Sequence, residues 1–278
     1  MGASTRHRQR FLQDHPNCAF CGGSARATTI EHCPPRAMFQ HRQWPEGFEF
    51  PACASCNQST NNHDLIIAML ARLGPTSLQR NADSRLDGLV KAMNRQFPGL
   101  LHQMMPSAAE ARRQNREIGI IPRRGQTHQE VGAVKIPAQI HEAVCVFATK
   151  LGKGIFYKES SNVFPTTGCI LLNWFTNADL LRYGKYAALE PLKDLAGVVP
   201  TLKRSSQYLN SQFQYKLSLS DKKDVFVLQA LFGEAFGLVL FGSPQTGLLE
   251  AGVKRLRHQT GRPGPFTILQ SPVLNETG

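Results

Sequence analysis

The chain has 278 residues, 41% of them hydrophobic, and carries a formal net charge of +12. That length supports two domains with real cores, and the basic excess favours a polyanionic partner, a nucleic acid before an anionic membrane. No run of about 18 apolar residues exists to span a bilayer, and the opening MGASTRHRQR lacks an apolar signal core, so a cytoplasmic protein with reduced thiols is expected.

In chain order, Thr5 to Gln13 reads as a short basic helix. Thr28–Glu31 and Phe48–Pro51 read as two strands joined by a connection, Cys33 to Gly47, that is long for a hairpin. Leu65, Met69, Leu70 and Leu73 recur at helical spacing, and Gly74-Pro75 ends the run. Arg85–Phe97 is a further helix, and Ser107–Glu117 another, opened by a capping box at Ser107 and Glu110. Arg112, Arg113 and Arg116 cluster there, with Arg123-Arg124 beyond, either along a phosphate backbone or on a solvated face. After a polar linker at 125–130, Pro137–Leu151 is helical and Gly152 its stop. Phe213–Leu219 alternates as a half-buried strand, and Asp224–Phe232 and Ala235–Phe241 complete an antiparallel meander. Cys145, Cys169, His141 and Trp174 sit among apolar neighbours and read as packing residues. The expected organisation is α+β in three parts: 1–80, a basic helical segment at 81–130, and an α+β domain at 131–278 whose role is open.

The chemistry is concentrated near the N-terminus. Cys18-x-x-Cys21 and Cys53-x-x-Cys56 are two knuckles that can close a tetrahedral zinc shell, which would make that zinc structural. Between them lies Glu31-His32, and Asn57 directly follows the second knuckle. A carboxylate, an imidazole and an amide are a second set: hard oxygens suit Mg²⁺ or Mn²⁺, and an imidazole suits proton transfer near neutrality. Arg36, after Cys33-Pro34-Pro35, is open to a phosphate contact or to solvent. His63 and Asp64 open the following helix; His63 could grip substrate or simply be exposed, and Asp64 could buttress the site or complement the helix terminus. Cys33 is a spare ligand or a passive thiol.

The texts HPNCAFCGG, ATTIEHCPPRAMF and FPACASCNQSTNNHD, spanning about 11–73, resemble the HNH endonucleases, the ββα-metal nucleases, in their four-cysteine zinc subgroup. The resemblance implies a zinc-stapled, treble-clef-like ββα core and hydrolysis of phosphodiester bonds in nucleic acid, with DNA the expected form. His32 would be the general base, and Glu31 and Asn57 would hold a catalytic Mg²⁺ or Mn²⁺. By their own charge and position, apart from the resemblance, Arg36, His63, Arg112 and Arg113 are the candidate substrate contacts. The family's middle Asn, which helps fix the imidazole, has no counterpart before the second knuckle, where the chain reads Gly47-Phe48-Glu49-Phe50. The alternative is a zinc-dependent nucleic-acid-binding protein without catalysis, in which His32 is structural.

Overall fold

The structure is a computed structural model that describes residues 3–73, 86–131, 134–260 and 266–274. Helix α1 (Ala3–Asp14) leads into the first knuckle, and strands β1 (Thr29–His32) and β2 (Glu49–Ala52) pair antiparallel with Glu31 opposite Phe50 and His32 opposite Glu49. Two helices follow at once. The first, α2 (Ala54–Gln58), is capped by the Cys53 side chain, and the second, α3 (Asn61–Leu70), buries Ile66, Ile67, Met69 and Leu70. The expected stop at Gly74-Pro75 lies outside the described residues, as does Arg85.

The middle of the chain is helical as the periodicity requires: α4 (Leu86–Gln96), α5 (Leu100–Met104) and α6 (Ala108–Ile118). Both halves of the Ser107/Glu110 capping box form. The segment expected as a polar linker contains one helical turn, α7 (His128–Val131), held because the Asn115 amide reaches the His128 carbonyl oxygen at 3.0 Å.

Helix α8 spans Ala138–Ser160 and does not stop at Gly152. A Cβ at Gly152 would sit 3.0 Å from Leu240 Cδ1, and one at Gly154 would sit 3.1 Å from the Phe50 ring. These glycines therefore permit close approach on two sides and do not terminate the helix. Residues 150 to 156 of α8 are all buried, as expected of a helix covered all round. One side packs on a five-stranded antiparallel sheet, through Phe147 against Phe232 and Phe156 against Phe226. The other side meets the N-terminal ribbon and knuckles.

That sheet has the order β6 (Gln214–Leu219), β7 (Phe226–Phe232), β8 (Phe236–Ser243), β3 (Cys169–Thr176), β9 (Thr267–Gln270). The meander of β6, β7 and β8 is the expected one; the strand between β8 and β9 is new, because β3 reads as a continuous apolar run without alternation until Asn173. Helix α9 (Ala178–Tyr183), a small hairpin of β4 (Lys203–Arg204) and β5 (Gln207–Tyr208), and helix α10 (Leu248–Thr260) complete the fold. The molecule is mixed α+β with antiparallel sheets. One continuous apolar core joins Phe48 and Phe50 of the ribbon to Phe213, Phe232 and Phe236 of the sheet, so the boundaries expected at 80 and 130 are crossed by packing. Among the described residues no helix is long and apolar enough to cross a membrane.

Candidate active-site cleft and thiolate cluster

The four Sγ atoms of Cys18, Cys21, Cys53 and Cys56 lie within 4.8 Å of one another. A tetrahedral Zn²⁺ with bonds of about 2.3 Å separates its sulfurs by about 3.8 Å, so these cysteines could hold a zinc ion. Each knuckle already turns a backbone N–H toward a sulfur, Phe20 N to Cys18 Sγ at 3.4 Å and Cys56 N to Cys53 Sγ at 3.5 Å. Burial works to raise these thiols, yet hydrogen bonds from Ser55 and the Cys56 amide bring Cys53 down to about 6. Lys153 of α8 stands behind the cluster, its ammonium donating to the Phe20 carbonyl at 3.1 Å. Cys33 lies apart from the four, buried, with its thiol raised by burial.

Next to the cluster, a cleft of about 320 Å³ is lined by Ile30, Glu31, His32, Pro35, Arg36, Ala37, Arg42, Asn57, Asn61, Asp64 and Leu65. Side chains alternate along a strand, so Thr29 and Glu31 share one face of β1 and Ile30 and His32 the other. Asn57 is turned to the first of these: its Nδ2 donates to Thr29 Oγ1 at 2.5 Å and to the Ile30 carbonyl at 3.4 Å. Asn57 thereby ties α2 to β1.

His32 is held from two sides. Its Nε2 is 3.6 Å from Glu49 Oε1 across the ribbon, and its ring meets Trp44 edge-on at 4.5 Å. Burial lowers its pKa, Glu49 works against that, and Arg36 and Arg204 lower it further. A lowered pKa favours the neutral imidazole, the form that can accept a proton.

Trp44 in turn carries two guanidiniums over its ring, Arg36 at 4.1 Å and Arg204 at 3.6 Å from the centroid. Arg204 comes from the β4–β5 hairpin and donates from Nε to the Trp44 carbonyl at 2.6 Å, while Ser205 N reaches Glu46. The hairpin thus props the long 33–47 connection. Burial, Arg42 and Arg204 all lower the Arg36 pKa, and its Nε is buried without a partner. Guanidiniums gathered this closely around Arg36 favour an anion beside it.

The Glu31 carboxylate, 6% exposed, is 2.6 Å from the Nζ of Lys150, which also donates to Thr60 Oγ1 at 2.5 Å. Burial raises the Glu31 pKa and Lys150 opposes that. Asp64 is pushed up to about 7, chiefly by burial, with Lys150 lowering it and Glu31 raising it.

The remaining expected contacts lie elsewhere. His63 sits on α3 with Nε2 4.0 Å from Glu142 of α8, and it does not line the cleft. Arg112 and Arg113 are exposed on α6, where Arg112 Nε bonds the Ala108 carbonyl and Arg113 Nε lies 4.0 Å from Glu117. Neither lines the cleft. Sequence reading passed over Lys150, Glu49, Trp44, Arg42 and Arg204. A signal for Lys150 did exist, since a lysine inside the apolar FATKLGKGIF run must either snorkel or find a buried partner.

Comparisons with models of known protein families, with curated proteins and with solved structures found no match to this chain.

Proposed function

We propose that this cleft hydrolyses phosphodiester bonds in nucleic acid, with DNA the expected substrate and His32 the general base. The observation that carries the reading is an imidazole held between Glu49 and Trp44 in a cleft shared with Arg36 and Arg42, neither of which makes an ion pair among the described residues. The ordering of Glu31-His32 and Asn57 around two cysteine knuckles, with an antiparallel ribbon leading into helices, supports an HNH-like core stapled by zinc. Glu49 and Trp44 take over the orienting role for which the family uses its middle Asn.

In this reading a phosphate enters against Arg36 and Arg42. His32 removes a proton from water as the water oxygen bonds to phosphorus. The bond from phosphorus to the leaving sugar oxygen breaks, that oxygen takes a proton from solvent, and His32 returns its own proton to solvent. The divalent ion implied by the resemblance does not fit the residues as they stand: the Glu31 carboxylate is held by Lys150, and the Asn57 amide is bonded to β1. No step is routed through such an ion.

The engagement of Glu31 by Lys150 is also the one observation that favours a second reading, zinc-dependent nucleic-acid binding without cleavage. Supercoiled plasmid incubated with the zinc-loaded protein separates the two. Conversion to nicked and linear forms is expected; retarded but uncut plasmid under all metal conditions would leave binding alone.

A further inference from the structure

The cation position beside Glu31 is filled from within the chain. Lys150 reaches it from α8, more than a hundred residues away in sequence, and both partners are buried, at 7% and 6% exposure. The ammonium is not a loose surface partner. It donates to Glu31 Oε1 and Thr60 Oγ1 and lies 5.3 Å from the centre of the Phe20 ring. Its stem is fixed by a helix packed on both sides. A divalent ion on the same carboxylate would have to share its oxygens with this ammonium and would be repelled by it. Mg²⁺ would further require about six oxygens in near-octahedral array. The other expected ligand, Asn57, has committed its nitrogen to β1 and can offer a single carbonyl oxygen. Positive charge is nonetheless present where an anion would enter, on Arg36 and Arg42, and neither makes an ion pair among the described residues.

We propose that the cleft is built to work without a divalent ion: the Lys150 ammonium stands in the cation position beside Glu31, and the guanidiniums of Arg36 and Arg42 receive the phosphate. The inference rests on the hydrolytic reading above and deepens it. Lys150 is a positioning residue. It neutralises Glu31, so that carboxylate does not repel a phosphate, and it pins the end of β1 that carries His32. The helix bearing Lys150 belongs to the C-terminal half, which makes that half part of the site.

The test uses full-length protein with its zinc content measured and all other metals removed. Mn²⁺ is titrated in and free Mn²⁺ is followed by its electron paramagnetic resonance signal, while plasmid nicking is measured in parallel with and without Mg²⁺. The wild type is expected to show no saturable Mn²⁺ binding, and Lys150→Met to gain one Mn²⁺ per chain that Glu31→Gln in the same background removes. Nicking by wild type should change less than about two-fold on adding Mg²⁺, against the several powers of ten expected of a metal-activated nucleophile. One Mn²⁺ bound per wild-type chain, or nicking that requires Mg²⁺, overturns the inference while leaving the hydrolytic reading in place. If nothing is cut under any condition the hydrolytic reading fails, and the wild-type titration still decides who occupies the cation position. That titration needs no variant, so a Lys150→Met that does not fold leaves the decision intact.

Discussion

Asp64 shows how far burial can move a single group. Its carboxyl, ordinarily at 3.8, is pushed up to about 7, chiefly by desolvation. A folded-state value above the unfolded one means that the protonated form stabilises the fold. That stability is fully present below about pH 4 and is lost as the pH rises through about 7. Asp64→Asn should remove this term: melting temperature of the variant minus that of wild type should climb between about pH 4 and 7, with the variant the more stable at pH 8. Parallel curves would mean that Asp64 does not titrate in this window. At this scale the sequence was informative about identity and poor about partnership. The cysteines, His32, Glu31 and Asn57 stand in recognisable spacing, and the structure brings all but the cysteines to one cleft. Glu49 and Trp44 carry no such mark, and Lys150 only that of a lysine in an apolar run, because each acquires its role only when the ribbon closes or when α8 docks. Arg112 and Arg113 were singled out on local charge alone, and charge says nothing about which face a helix turns to a cleft formed by other elements.

Among the elements, α8 does most to build the site. It presses Phe147, Leu151 and Ile155 into the core and delivers Lys150 to Glu31 and Lys153 to the first knuckle. Gly154 is the point of closest approach, with the Phe50 ring 3.1 Å from where a Cβ would stand. Gly154→Leu should therefore overpack the contact and cost about 1–3 kcal/mol in denaturant unfolding. An unchanged midpoint would show that Phe50 can move aside freely. Sequence patterning found the start of this helix and misplaced its end, since a glycine in a helical run is the ordinary signal of a stop. Here the glycines answer a steric need set by Leu240 and Phe50, residues distant in sequence. The strand β3 was missed for a related reason: covered on both faces at its start, it shows no alternation, and an apolar run without period cannot be assigned from pattern alone.

For the molecule as a whole, the shared core implies that the knuckles and the sheet unfold together. A single thermal transition is expected, and Cys53→Ala should abolish zinc binding and lower that one transition, since the thiolates that would hold the ion also tie β2 to the first knuckle. Two separated transitions, with only the first sensitive to the substitution, would show that the halves are independent. The three-part reading of the sequence followed composition and linker signals. Those signals mark where the chain is polar and cannot report that Phe48 meets Phe213 or that Trp44 meets Arg204.

In the proposed reaction His32 takes the proton from the attacking water. The most direct measurement compares single-turnover plasmid cleavage by wild type and by His32→Ala, with both proteins matched in zinc content, melting temperature and affinity for DNA. Cleavage is expected to fall by ~10²–10⁴-fold while the other three properties hold, as for removal of a general base. Cleavage by His32→Ala at the wild-type rate would contradict that role.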